Sequence, residues 1–297
     1  MNSKFKLVIV LGSLLLLAQM GISSAQTITI DGDLIDWGVD PASGDWTPDI
    51  PAVKFVVENW NYDPAYSGPV IGSTADNNDP GTEYCDIEAF YVLDGYQIGD
   101  KNYVYFAIIT SMPENGVPWG THKLFQCDLA LDLDDDGTYE YGIKLTDGQK
   151  CDPGPGGECT VDAPIGAVFH DPVWDKINPS SISQSNWGWA NIVGGTQVGV
   201  LNPSTNGGKI VYALYSWQET NYNDNRKYNY VIEMKVPKSL LGISSGSGTA
   251  NLVSAVSCTN DVVKIFQLHY QIPEFPVILI PIGIILGFFY YHRNKQK

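Results

Sequence analysis

The segment LALDLDDDGTYEYGIKL, residues 129–145, crowds the carboxylates of Asp132, Asp134, Asp135 and Asp136 around one glycine, Gly137. In an extended chain, side chains alternate between faces, so Leu129, Leu131 and Leu133 share one face while Asp132 and Asp134 take the other. Tyr139, Tyr141 and Ile143 repeat the pattern beyond the turn. The acids are thereby expected at the tip of a hairpin. Carboxylates this close repel one another, and a hard cation held through oxygen relieves the repulsion. Asp132, Asp134, Asp136 and the Thr138 carbonyl form the candidate ligand set for Ca²⁺, with Glu140 joining directly or through water. The competing reading is a solvated Asp-Gly hairpin turn that requires no metal.

The spacing Asp-x-Asp-x-Asp-Gly matches the front half of an EF-hand loop. The twelfth position is Ile143 where that loop needs Glu, and no helical pattern flanks it, so an EF-hand is excluded. A second acidic cluster, ITIDGDLIDW, pairs the turn signal Asp31-Gly32 with Trp37, a candidate lid on the core.

The elements that must carry these groups read as β. Aromatic and β-branched residues alternate with polar ones in TITID, VKFVVEN, DIEAFYVL, YVYFAIIT, YEYGIKL, KIVYALY and KYNYVIEMKV, separated by Gly, Pro, Asn and Asp clusters. Many short strands without a helix of ordinary length predict an all-β fold, a single antiparallel β-sandwich of jelly-roll type. Three long stretches, about 40–53, 61–83 and 171–189, are expected to be loops.

Both ends of the chain are greasy. Lys4 and Lys6, an apolar stretch from Leu7 to Ala18 and the small residues Ser23-Ser24-Ala25 form a secretory signal over residues 1–25. At the other end, the 15 apolar residues from Val277 to Tyr291 precede His292, Arg293, Lys295 and Lys297. As a helix that run spans roughly 22 Å, short of a hydrocarbon core of about 30 Å. Residues 272–297 are therefore expected to be a sorting signal or membrane anchor, and residues 26–271 an extracytoplasmic body.

Removing Lys4, Lys6, Arg293, Lys295 and Lys297 from 17 basic residues leaves 12 between Gln26 and Ile272, and removing Glu274 from 33 acidic residues leaves 32, a formal net charge of −20. Such a surface repels phosphate backbones, so nucleic acid partners are not expected.

Pro273-Glu274-Phe275-Pro276, followed by the apolar run and the basic tail, resembles the archaeal PEF-CTERM sorting signal. That resemblance implies recognition by an archaeosortase, removal of the tail and transfer to a lipid; the alternative is an uncleaved C-terminal anchor. The opening ITIDGDLIDW is similar to the first strand of family-nine-like carbohydrate-binding modules and related DOMON-like sandwiches. YCDIEAFYVLDG, YVYFAIIT, the acidic hairpin, VPKSLLG and SCTNDVV follow in the order of such surface sandwiches. The resemblance implies the fold first and sugar binding second.

For sugar binding, exposed rings would stack on a pyranose while carboxylates and amides take its hydroxyls. Trp46, Trp60, Trp119, Trp174, Trp187 and Trp189 lie in loop-like segments, and Trp187 and Trp189, flanking Gly188 in SQSNWGWAN, are the leading candidates. The five cysteines are Cys85, Cys127, Cys151, Cys159 and Cys258. Cys151 and Cys159 bracket the turn-forming DPGPGGE and are the favoured disulfide; the other three read as small core residues.

An enzyme is the least supported class. Gly242-Ile243-Ser244-Ser245-Gly246 fits GxSxG, but that motif works only at a strand-to-helix elbow. Asp86 and Glu88 are spaced for one strand face and would suit glycoside hydrolysis only if they flanked a cleft; auxiliary cation ligation is their other reading. The sequence reading is a non-catalytic surface protein, held at an archaeal membrane or envelope, with a structural or binding role. A carbohydrate-binding module is the alternative and a glycoside hydrolase the second alternative, with polysaccharide or envelope components as partners.

Overall fold

The computed structural model describes residues 27–40, 45–57, 87–119, 122–146, 162–174, 191–215, 229–243, 247–255 and 262–271; the side chains of 117–124, 262–264, 266, 267 and 271 fall outside that description. Thirteen strands are present among the described residues: β1 (Lys54–Val57), β2 (Ile87–Asp94), β3 (Tyr103–Thr110), β4 (Val117–Trp119), β5 (His122–Leu124), β6 (Leu129–Asp132), β7 (Tyr141–Ile143), β8 (Ala167–Trp174), β9 (Ile192–Val200), β10 (Lys209–Leu214), β11 (Tyr230–Pro237), β12 (Ser247–Ala255) and β13 (Val262–Gln271). Eleven of them build two antiparallel sheets, in the orders β1-β2-β3-β11-β10 and β13-β12-β6-β7-β8-β9, while β4 and β5 pair as a separate small ribbon. The all-β expectation therefore holds. Among the described residues no helix is long and apolar enough to cross a membrane, and both terminal segments, including Pro273, Glu274, Phe275 and Pro276, lie outside those residues.

The two sheets meet across one apolar core. Phe90 and Val92 of β2, Phe106 and Ile108 of β3 and Ile232 and Met234 of β11 pack toward Leu129 and Leu131 of β6, Ile143 of β7 and Leu252 of β12. Complete burial of each such side chain contributes about 1.5–3 kcal/mol.

The alternating in-and-out pattern expected of the strands fails at the centre of the first sheet. Every residue of β2, and all of β3 after Tyr103, is buried. The reason is a second apolar layer: Ile28, Ile30, Leu34, Trp37 and Val39 lie over the outer face, against Tyr91, Leu93, Tyr105, Ala107, Ile109 and Val231. This corrects the reading of TITID as a strand. Among the described residues the segment pairs with no strand; it is a strap whose alternate isoleucines face inward, which gives it the strand-like pattern.

One carboxylate clasps the strap. Glu233 of β11, fully buried, accepts hydrogen bonds from Trp37 Nε1 at 2.8 Å and from the backbone N–H groups of Asp31 and Gly32, both at 2.9 Å. Gly32 is required there. Its φ is +86°, and a Cβ would sit 2.3 Å from Ala213 Cβ.

Burial raises the Glu233 pKa from 4.5 to about 7, against the lowering effect of the three donors. A carboxyl that holds its proton more tightly when folded stabilises most below its unfolded value, and that contribution is lost as pH rises through the folded value. The melting temperature of the purified protein is expected to fall between about pH 4.5 and pH 7 and to level off above it. A melting temperature that rises steadily across this window would contradict the assignment.

The second sheet is bent over on itself. β8 and β9 lose register at three places, two of them around Asp171 with φ +48° and Gly195 with φ +115°. A Cβ on Gly195 would come within 2.7 Å of the Asp171 carbonyl, so only glycine permits the close approach. Beyond the bulge, the far end of the ribbon returns over the outer face of the sheet. Ile192 and Trp174, paired with each other, come to lie on Gly142 of β7, where a Cβ would meet them at 2.7 and 2.9 Å. Residues 171–174, expected to begin a loop, are thus the end of a strand.

Candidate metal centre

The acidic hairpin forms as its sequence suggests, and its geometry explains how so many carboxylates tolerate one another. Leu129–Asp132 pairs with Tyr141–Ile143, leaving residues 133–140 as the loop. Asp132 sits at the base, 2 % exposed, and both its oxygens are occupied. Oδ1 accepts the N–H of Asp135 at 2.7 Å, while Oδ2 accepts those of Gly137 at 3.1 Å and Asn251 Nδ2 at 3.4 Å. Asp134 Oδ1 accepts from the N–H of Asp136 at 3.3 Å, and Asp136 Oδ1 from that of Thr138 at 2.7 Å. Glu140 reaches back to accept the Leu133 N–H at 2.7 Å. The chain curls around its own acids, helped by φ values of +63° at Asp135 and +87° at Gly137.

This curl brings together four of the five expected metal ligands. Asp132, Asp134, Asp136 and Glu140 each offer a carboxylate oxygen, all within 4.8 Å of one another. Two oxygens bound at about 2.4 Å to one Ca²⁺ are separated by at most about 4.8 Å, so the cluster is compact enough to hold a metal ion. Thr138 is exposed on the same loop. Burial, and then the charges of Asp134 and Asp132, raise the Glu140 pKa, opposed by the Leu133 hydrogen bond. That is the strain a cation would remove.

Tyr139 departs from the expected pattern. Tyr141 and Ile143 pack with Leu129 and Leu131 between the sheets, but Tyr139 lies with Cys127, Ala130, Val253 and Ala255 in a separate cluster. Alternation cannot be counted through the turn, because residues 133–137 are bends. Asn251 of β12 was invisible to sequence reasoning: it also donates to Asp135 and so supports the loop from the neighbouring strand.

Other candidates fare differently. Trp37 is the core lid expected of it. Trp46 is buried under the strap and Trp174 packs between two outer clusters, so neither is an open stacking platform. Trp187, Trp189, Cys151 and Cys159 lie outside the described residues, as does Asp86. Glu88 is buried at a register shift between β2 and β3, which breaks the simple spacing assumed for it. Cys127 is fully buried, as a core residue should be. Gly242 ends the 3-10 turn Lys238–Leu241 and β12 starts at Ser247, so the GxSxG run sits between a turn and a strand. No family model, curated protein or solved structure matches the chain.

Proposed function

We propose that this chain is a non-catalytic, extracytoplasmic surface protein, tethered at its C-terminal end, whose sandwich coats or binds and is stiffened by Ca²⁺ at the β6–β7 hairpin. The observation that carries the reading is the convergence of Asp132, Asp134, Asp136 and Glu140 on one small volume. An all-oxygen, carboxylate-rich set on a flexible loop suits Ca²⁺, which takes six to eight oxygens in loose geometry; the Thr138 carbonyl and water complete the shell. The secretory leader and the PEF-like tail support placement outside the membrane. The strongly acidic body suits a calcium-rich, soluble surface.

Sites on extracellular modules bind Ca²⁺ with dissociation constants of about 0.1–1 mM, so ~10 mM Ca²⁺ stabilises by roughly 1.4–2.7 kcal/mol. For a chain of this size, that raises the melting temperature by about 3–10 °C over the value in EGTA. The variant Asp134→Asn/Asp136→Asn is expected to melt at the same temperature with and without Ca²⁺. An identical midpoint for the wild type in both buffers would remove calcium from the proposal. Location is tested separately: external protease added to intact cells is expected to digest the body, and complete protection would refute surface exposure.

A further inference from the structure

Under the folded-back end of the β8–β9 ribbon lies a polar cluster that the hairpin does not use. Asp128, Lys144 and Asn191 are 2, 1 and 4 % exposed. Asp128 and Lys144 stand on the outer face of neighbouring strands, opposite to Leu129 and Ile143. Asp128 is fixed: its Oδ1 accepts the N–H of Leu145 at 2.9 Å and its Oδ2 that of Ile192 at 2.8 Å, with the Thr146 N–H also bonding it. Asn191 directly precedes Ile192, whose N–H bonds Asp128, and Lys144 lies close enough for its charge to act on the same carboxyl.

Two ends of this cluster are unsatisfied. Lys144 Nζ and Asn191 Oδ1 are both buried without a hydrogen-bond partner. Polar groups buried without hydrogen bonds are costly, and a reaction that consumes them removes the cost. Burial raises the Asp128 pKa to about 6, which Lys144 and the backbone donors only partly offset. The trio brings an amine, a carboxyl and a primary amide together, shut away from water.

We propose that Lys144 and Asn191 become joined by an intramolecular isopeptide bond, with Asp128 as the proton carrier. Lys144 passes a proton to Asp128, and its Nζ attacks Cγ of Asn191 while Asp128 donates that proton to the amide oxygen. Asp128 then takes a proton from the attacking nitrogen and passes it to Nδ2. The Cγ–Nδ2 bond breaks, ammonia leaves and Asp128 recovers its proton. One C–N bond forms and one breaks, with no change of oxidation state and no co-reactant. The other amide nearby is less suited: Gln126 Nε2 is already held by Ser254 Oγ and the Ala255 carbonyl. The product would tie the end of β7 to the start of β9 and lock the folded-back ribbon onto its sheet without a disulfide.

The test is peptide mapping of the reduced full chain, purified in detergent and digested with trypsin. Peptides are the necessary readout, because ammonia loss from an N-terminal Gln26 would mimic the intact mass change. The expected result is loss of tryptic cleavage at Lys144 and a branched peptide joining it to the peptide of Asn191, lighter than the sum of the two by one ammonia. Lys144→Met and Asn191→Ala each delete one end and are expected to abolish the branch. Asp128→Asn, which keeps both ends, is expected to leave them unlinked; if it fails to fold, the other two variants still decide the matter. Full cleavage at Lys144 in folded wild type would overturn the proposal. So would a branch that survives Asn191→Ala, or loss of water with Asp128 as the linked partner.

Discussion

Glu233→Ala is expected to destabilise the protein by roughly 3–6 kcal/mol, because it strips the acceptor from three buried or half-buried donors at once. Trp37 Nε1 and the Asp31 and Gly32 N–H groups each lose their acceptor, and each orphaned donor costs about 1–3 kcal/mol. The effect is local before it is global. With its clasp removed, the strap is expected to become the first site of limited proteolysis, within residues 27–40, under conditions where the sheets remain intact. Glu233→Gln keeps one acceptor oxygen and its loss should be smaller, but it abolishes the titration and with it the fall in stability between about pH 4.5 and pH 7. Equal melting temperatures for wild type and Glu233→Ala would show that the clasp carries no weight.

The second large effect is expected just beyond the C-terminal end of the same strand. Lys238, at the turn that follows β11, and Asp94, at the end of β2, form an ion pair with both side chains almost wholly buried. Asp94 also caps the next turn by accepting the Tyr96 N–H at 3.0 Å. Lys238→Met leaves a buried carboxylate without its counter-charge, a change that costs about 3–5 kcal/mol. On a chain of this size the melting temperature drops by on the order of 10 °C. Adding Asp94→Asn to that variant should recover part of the loss, since Asn keeps the acceptor for Tyr96 and brings no charge. If the double variant is less stable than Lys238→Met alone, the cost lies elsewhere than in the stranded charge.

The sequence carried the hairpin well because its information is local. Leu129, Leu131 and the acids between them alternate within a few residues, and Gly137 marks the bend, so the convergence of Asp132, Asp134, Asp136 and Glu140 could be expected from spacing alone. The central strands were equally legible from their apolar runs. What escaped was everything decided by distant segments. TITID has the period of a strand, but Ile28 and Ile30 owe their burial to the cluster that holds Tyr91 and Ile109, and among the described residues the segment pairs with no strand. Glu233 carries no local signal within VIEMKV, since its partners are about 200 positions away. β9, IVGGTQVGV, is rich in glycine, and its residues earn their place by bending back over Gly142, a property no propensity encodes. Asn251 and the Asp128–Lys144–Asn191 group were hidden for the same reason.

The length of that reach between Asp31 and Glu233, 202 positions along the chain, also governs the order in which the molecule can be assembled. Whether it emerges from a ribosome or from a translocation pore, the amino-terminal side comes first. Ile28, Leu34 and Trp37 must then wait, uncovered, until β11 arrives to receive them. Contacts so widely spaced slow folding. Closure of the clasp therefore cannot precede the arrival of β11.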